Sequence, residues 1–321
     1  MINKLFTIAR NAFTETIRQP VYAVIIVSAL FLFLMSPSLT MYSMSDDNKL
    51  LREIGLSTLF LSGLFIAIFA AAGAVTEEIE TKTITTVLTK PIARPVFILG
   101  KFFGVGAAVM LAHYIGTIAL LLTIRHGVLA TASDTHDWTV IMVALSAVGL
   151  ALLLTAFLNY FYDWTFTSTA ITLGAIFGTL GMIFLAFIDR DWNFNPANNG
   201  FTIFDIYAST LLLFAILVLV SLALALSARF NIVITLTCCI GVFMLGLISD
   251  YVFGRLAQSH IWAKIAYIIV PNFQPFWISD AIYEGNPIPF KYVLITATYA
   301  ICYTAAILFA TISLFQRRQV G

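Results

Sequence analysis

The 321-residue chain is 60% hydrophobic and only 10% charged, and its mean hydropathy is +0.97. Soluble domains carry about 25% charged residues. Too few charges are present to cover a water-facing surface, so most of the outer surface must face lipid. The net charge of +1 gives no indication of nucleic-acid binding. Composition therefore predicts an all-α, polytopic membrane helix bundle and excludes a soluble catalytic domain.

The first segment, 1–19, has apolar residues at helical spacing and predicts an amphipathic helix lying in the membrane surface. Charged side chains interrupt this segment, so we expect no cleaved signal peptide there. The apolar positions are Ile2, Leu5, Phe6, Ala9, Phe13 and Ile17.

Charge-poor apolar stretches mark the candidate membrane spans, since a helix needs about 20 residues to cross a bilayer. Eight stretches qualify, and together they predict one transmembrane domain over residues 1–321. A further apolar stretch, 261–270, is too short to span, so we expect 250–291 to form an outer interfacial or re-entrant segment. The eight predicted spans are 20–41, 56–76, 96–124, 138–160, 165–188, 204–227, 231–249 and 292–315.

Eight spans place both termini on the same side of the membrane. Ten of the 17 Lys and Arg residues then lie on the terminal side. Basic residues favour the cytoplasmic side, so both termini are predicted to be cytoplasmic.

The segment 76–104, between the second and third predicted spans, reads TEEIETKTITTVLTKPIARPVFILGKFFG. Acids near its start and bases near its end suit the macrodipole of a short helix. Val87 and Leu88 contribute an apolar stripe, and Pro91 ends the helix. From the residues alone, two interpretations stay open: a helix with a role of its own, and a solvated loop whose charges set the topology.

This segment resembles the signature region of the ABC-2 family of ABC transporter permeases. That family has acids, a Thr, a Leu, a Pro, an Arg and a Gly-Lys pair in this order between its second and third spans. The Gly that usually precedes the Thr is Lys82 here. The matching residues are Glu78, Glu80, Thr83, Leu88, Pro91, Arg94, Gly100 and Lys101.

Other parts of the chain are similar to the same family. The segment 1–19 resembles its elbow helix, 226–250 its penultimate helix pair, and 271–273 with 315–318 its C-terminal region. The family core has six spans, so 138–188 is the best candidate for an inserted hairpin in a chain with eight predicted spans.

The resemblance implies the membrane subunit of an exporter in the bacterial inner membrane. Two separate ATPase subunits, which hold ATP and magnesium, would bind a pair of permeases, formed with a second copy or a paralogue. The segment 76–95 would contain the coupling helix, at 77–90. This chain has no GxxxxGK[ST] phosphate loop, so we expect no cofactor on it. The residues expected to couple to the ATPase are Glu77, Glu78, Glu80, Thr83, Val87, Leu88, Lys90, Pro91, Arg94, Gly100 and Lys101.

His113 is the only histidine clearly inside a predicted span. An ionisable group within a membrane is a functional hypothesis, although Tyr114 and other polar groups could satisfy it by hydrogen bonding. A secondary transporter is one alternative function, but it favours charged or broken helices at the midplane. An intramembrane enzyme is another, and it needs a polar catalytic constellation. Apart from His113 the spans are nearly free of charge.

Several other residues have structural interpretations. Cys238, Cys239 and Cys302 lie in apolar runs without metal-site spacing, so we expect neither a disulfide nor a metal ion. Asp163 is expected in a cytoplasmic turn and Asp205 at the outer interface. Several glycines are expected to permit close helix packing, namely Gly100, Gly104, Gly174, Gly178 and Gly181.

Overall fold

The computed structural model describes residues 2–40, 47–74, 93–129 and 135–316. In these ranges the chain forms helices joined by turns, with one isolated antiparallel bridge between Ile188 and Phe194. The α-helices are α1 (Ile2–Arg18), α2 (Pro20–Thr40), α3 (Asp47–Ala72), α4 (Arg94–His126), α5 (Trp138–Tyr162), α6 (Phe166–Leu185), α7 (Ile203–Ser227), α8 (Ile232–Leu247), α9 (Ile261–Ile269), α10 (Ser279–Tyr283) and α11 (Phe290–Gln316).

Within the described ranges, seven helices are long and apolar enough to cross a membrane: α2 to α7 and α11. They coincide with seven of the predicted spans. The eighth prediction, 231–249, corresponds to α8, which has only 16 residues. At about 1.5 Å per residue, α8 is shorter than the roughly 30 Å hydrocarbon core, so length and composition do not identify it as a span.

Three helices form the centre of the bundle. In the most apolar windows of α3, α4 and α7, 61%, 56% and 61% of the residues are buried, against 17% in α5 and 22% in α6. Tyr22 fixes α2 to the centre by donating a hydrogen bond from its hydroxyl to the Ala108 carbonyl oxygen, at 2.7 Å. Helices α5 and α6 pair with one another at the periphery.

The α5–α6 hairpin has defined ends. The Asp137 carboxylate caps α5 by accepting a hydrogen bond from the Val140 N–H, at 3.2 Å. Asp163 closes α5 in the left-handed conformation, with φ of 54°. The turn that was predicted at Asp163 is therefore present.

Helix α3 begins at Asp47, well before the predicted start of its span at 56. The polar first turns, which include Lys49, Arg52 and Glu53, continue the helix beyond the apolar stretch. Hydropathy marks where the apolar part of a helix begins, which need not be where the helix begins.

The segment 250–291 contains a π-helical turn (Asp250–Gly254), α9, a 3₁₀ turn (Gln274–Phe276) and α10. Helix α9 exposes Ile261, Trp262 and Ile268, whereas Phe273 and Phe276 are buried against the core. The predicted short structured segments are present, and their position at the membrane interface stays a prediction.

Candidate functional site

Most of the predicted coupling segment lies outside the described residues. This applies to Glu77, Glu78, Glu80, Thr83, Val87, Leu88, Lys90 and Pro91. The coupling residues that the structure describes are Arg94, Gly100 and Lys101, all on the first turns of α4. Arg94 is the first residue of that helix.

Gly100 and Gly104 lie where α4 meets α1. A Cβ atom at Gly100 would lie 2.7 Å from the Ile8 Cγ2 atom, and one at Gly104 would lie 2.4 Å from the Ala9 carbonyl oxygen. Only glycine permits so close an approach of the two helices. The close packing predicted at these two glycines is therefore present, and its partner is the N-terminal helix.

Lys101 is buried at the same seam. Its Nζ atom lies 3.7 Å from the Glu15 Oε2 atom on α1 and 5.9 Å from the centroid of the Phe97 ring. The aliphatic part of a lysine can lie along apolar surface while the ammonium reaches a charged partner. Charge and close packing therefore hold α1 against the first turns of α4.

His113 is buried at the contact between α4 and α7. Its Nε2 atom lies 2.9 Å from the Ser209 carbonyl oxygen and 3.1 Å from the Ser209 hydroxyl. A carbonyl oxygen only accepts hydrogen bonds, so the geometry assigns the proton to Nε2. Of the candidate partners, a polar group of another span, Ser209, therefore pairs with His113, whereas the Tyr114 hydroxyl pairs with Thr179 on α6, at 2.7 Å.

With the proton on Nε2, the Nδ1 atom of His113 is an acceptor. It is buried and has no hydrogen-bond partner among the described residues. A narrow cleft beside the ring is lined by residues of α2, α3 and α4, including Ser62, Gly63 and Gly116. A single buried imidazole can hold a donor here, but it does not form a catalytic constellation.

Arg125, at the last turn of α4, was not singled out from the sequence. Its buried guanidinium donates to the carbonyl oxygens of Leu185, at 2.6 Å, and Ile188, at 2.9 Å. It also donates to the Thr139 hydroxyl at 3.0 Å, and its Nε atom lies 3.4 Å from the Asp137 carboxylate. These contacts attach the α5–α6 hairpin to α4.

Asp137 is the anion of this cluster and is itself buried. Burial acts to raise its pKa. Hydrogen bonds from Thr139 and the Val140 N–H, with the positive charges of Arg125 and Arg190, outweigh burial and hold the pKa of Asp137 below its ordinary value. Asp137 is therefore a stable carboxylate at neutral pH.

Further ion pairs lie at the end of the bundle that carries Arg125. The Arg52 Nε atom lies 3.0 Å from the Asp205 carboxylate, and the Lys49 Nζ atom lies 3.0 Å from Asp280. The Ser279 hydroxyl donates to the Glu53 carboxylate. The Asp205 carboxylate is buried between α3 and α7, where it pairs with Arg52, and its expected position near the outer interface stays a prediction.

The sequence signal for these pairs is weak. Arg125 and Asp137 flank a short connection between two predicted spans, which makes their pairing a reasonable guess. Arg52 and Asp205 lie 153 residues apart in the sequence, and no local sequence pattern indicates that they form a pair.

The described structure defines a class, a multi-pass helical membrane protein with an apolar centre and charged clusters near its helix ends. No protein-family model matches this chain, and no curated protein matches it either. The resemblance to ABC-2 permeases therefore depends on the residues quoted for it, and its functional consequences are proposals.

Proposed function

We propose that this chain is the permease subunit of an ATP-driven exporter of the ABC-2 type, coupled to a separate cytoplasmic ATPase. The observation that supports it most directly is the ordered acid–Thr–Leu–Pro–Arg–Gly–Lys run between α3 and α4. The partners are two ATPase subunits, which hold ATP and magnesium, a second copy or paralogue of the permease, and membrane lipid. The location is the bacterial inner membrane.

The seam between α1 and α4 is consistent with this role. Helix α4 begins at Arg94, shortly after the proposed coupling segment 77–90. Its next turns contact α1 through the close approach at Gly100 and the ion pair of Lys101 with Glu15. A displacement of the coupling segment would therefore reach α4 and α1 together. In this proposal α1 is the elbow helix and lies in the membrane surface.

Eight crossings, with both termini cytoplasmic, are part of the same proposal. Tyr207 near the start of α7 contacts Phe290 at the start of α11, with ring centroids 6.1 Å apart. Helices α7 and α11 therefore begin at the same end of the bundle, so the chain between them must return across it. We assign this return to α8, whose Phe243 ring packs against Phe60 on α3 with the two centroids 4.5 Å apart.

The coupling assignment is tested with two variants, Glu78→Lys with Glu80→Lys, and Leu88→Asp. We expect the charge reversals to slow association with the ATPase. Loss of a buried apolar anchor costs about 2 kcal/mol or more, so Leu88→Asp should weaken binding by roughly 30-fold. Pull-down of the ATPase and its hydrolysis rate in the reconstituted complex are the measurements.

The matched control reverses two exposed acids at the opposite end of the bundle, Asp191→Lys with Glu284→Lys. The control should leave assembly and coupled hydrolysis unchanged. If the variants at 78, 80 and 88 also leave both unchanged while the protein inserts normally, the segment is a topology-setting loop and the proposal is wrong.

One observation favours the second candidate function, an ATP-independent secondary transporter. It is the buried His113 with its unpartnered Nδ1 acceptor, which could take part in a proton or ligand pathway. Gradient-driven uptake or efflux by liposomes that contain this chain without any ATPase would favour this function over the exporter.

A further inference from the structure

A polar cavity of about 550 Å³ lies at the end of the bundle that carries Arg125. The first turns of α3, the residues that follow α4 and the loop after α6 form its walls. The volume is in the range of small-molecule sites, roughly 300–1,000 Å³. Its polar lining residues are Asn48, Arg52, His126, Thr135 and Arg190.

In the ion pairs beside the cavity, the carboxylates lie in the protein interior and the guanidinium groups lie nearer the surface. The Asp137 side chain is 0% exposed, whereas the Arg190 side chain that pairs with it is 59% exposed. The Asp205 side chain is 4% exposed, and that of its partner Arg52 is 20% exposed. The cavity therefore meets the cationic member of each pair, and its described lining contains no carboxylate.

Hydrogen-bond donors remain available on both guanidinium groups. Arg52 uses Nε for Asp205, and neither of its Nη atoms has a partner within the described ranges. Arg190 directs Nε to Asp137 and Nη2 to the carbonyl oxygens of Arg125 and His126, which leaves Nη1. A guanidinium has five N–H donors and no acceptor.

The two imidazoles beside the cavity, those of His126 and His136, pair with the backbone and with each other, and they carry no negative charge that would compete for the arginines. The His126 Nδ1 atom lies 3.0 Å from the Gly127 carbonyl oxygen and donates to it, so Nε2 accepts from the His136 Nδ1 atom at 3.4 Å. Gly127 itself has φ of 72°, a conformation that favours glycine. A Cβ atom there would lie 3.8 Å from the Arg190 Nη2 atom and 3.9 Å from the Asn48 Oδ1 atom.

We propose that this cavity binds an oxyanion, with the guanidinium groups of Arg52 and Arg190 as its donors. Arginine suits planar and tetrahedral oxyanions because its N–H groups form a fork that meets two oxygens. The cavity is larger than one phosphate group, so the anion is part of a larger ligand. That ligand is either an anionic lipid, which would present its phosphate to the cavity, or a soluble phosphate or carboxylate compound.

The test uses the full-length protein in nanodiscs of phosphatidylcholine, with inorganic phosphate as the probe. Thermal unfolding, followed by tryptophan fluorescence, is measured across a phosphate titration and a chloride titration of matched ionic strength. We expect phosphate, but not chloride, to raise the unfolding temperature in a saturable manner.

Three variants test whether phosphate raises the unfolding temperature by binding in this cavity. Arg190→Gln should raise the half-saturating phosphate concentration about tenfold, the size of one lost charge-assisted hydrogen bond. Arg52→Lys keeps the charge beside Asp205 but loses the fork, so it should also weaken the response while the protein stays folded. Lys264→Gln removes one exposed positive charge from α9, outside the cavity lining, and should leave the response unchanged.

A second set of nanodiscs, which contain phosphatidylglycerol, identifies the source of the oxyanion. Loss of the phosphate response in these discs supports a lipid headgroup, and an equal response in both discs supports a soluble ligand. The proposal is overturned if wild type responds no more to phosphate than to chloride. It is also overturned if Arg190→Gln and Arg52→Lys respond as wild type does.

Discussion

Arg125 makes the clearest single-residue prediction. Removing one partner of a buried ion pair costs about 3–5 kcal/mol, because the remaining charge stays buried. Arg125→Met should lower the free energy of unfolding in detergent by an amount in this range. It leaves Asp137 buried and frees the carbonyl oxygens of Leu185 and Ile188.

The control is Arg255→Met, at an exposed arginine whose guanidinium carbon lies 4.3 Å from the centroid of the Tyr251 ring. An exposed cation–π contact contributes about 0.5–1 kcal/mol. Equal losses in the two variants would mean that the Arg125 contacts contribute little to stability.

The depressed pKa of Asp137 predicts a dependence of stability on pH. A carboxyl group whose pKa is lower in the folded state stabilises that state above its unfolded pKa, and the contribution is lost as the pH falls through the folded pKa. For Asp137 the loss should begin as the pH falls towards its ordinary value of 3.8 and should continue below that value. Asp137→Asn should be less stable at pH 6 and should lose less of its stability between pH 5 and pH 3. The unfolding temperature measured across this range checks it, and parallel wild-type and variant curves would contradict it.

At the scale of elements, the contact of α1 with α4 predicts opposite effects for two Gly→Ala substitutions. Alanine normally stabilises a helix interior by about 1 kcal/mol relative to glycine. At Gly104 the new Cβ atom would lie 2.4 Å from the Ala9 carbonyl oxygen and 2.6 Å from the Ala12 Cβ atom. Overpacking of this kind costs about 1–3 kcal/mol, so Gly104→Ala should destabilise the protein.

Gly149 on α5 provides the matched control. An added Cβ atom there meets nothing within 4 Å, so Gly149→Ala should be neutral or stabilising. The free energies of unfolding of the two variants give the comparison. A stabilised Gly104→Ala variant would show that α1 does not hold this close position.

The elements themselves could be predicted from the sequence, because an apolar stretch of sufficient length is a local property. The contacts of the candidate site could not. Lys101 fits a family motif, but its position against Glu15 depends on the packing of α1, which no local pattern specifies. His113 was recognised as unusual, yet its partner Ser209 lies on a helix distant in sequence. The polar start of α3 was missed because its first turns are not apolar. The pair of Arg52 with the remote Asp205, which lets these turns pack against the bundle, is not visible in the local sequence.

At the scale of the whole molecule, the proposed eight crossings predict the side on which each exposed loop lies. In a background without Cys238, Cys239 and Cys302, a cysteine at Arg229 should react with a membrane-impermeant reagent only from the cytoplasm. A cysteine at Asn286 should react only from outside. Reaction of both positions from the same side would mean that α8 does not cross, and seven crossings would remain. A cysteine at Glu15 reports the side of the N-terminal helix.

The attachment of the α5–α6 hairpin has a consequence for engineering. The two chain segments that enter and leave the hairpin meet at one side chain. On the entering side, only His126 separates Gly127 from Arg125 in the sequence. On the leaving side, a Cβ atom at Gly200 would lie 3.2 Å from the Arg125 Cγ atom. The two ends of the hairpin therefore lie close together, so the hairpin as a unit can be joined to α4 and α7 only where Arg125 keeps its partners. A deletion of the hairpin would have to replace Arg125 as well, because its hydrogen-bond acceptors leave with the hairpin.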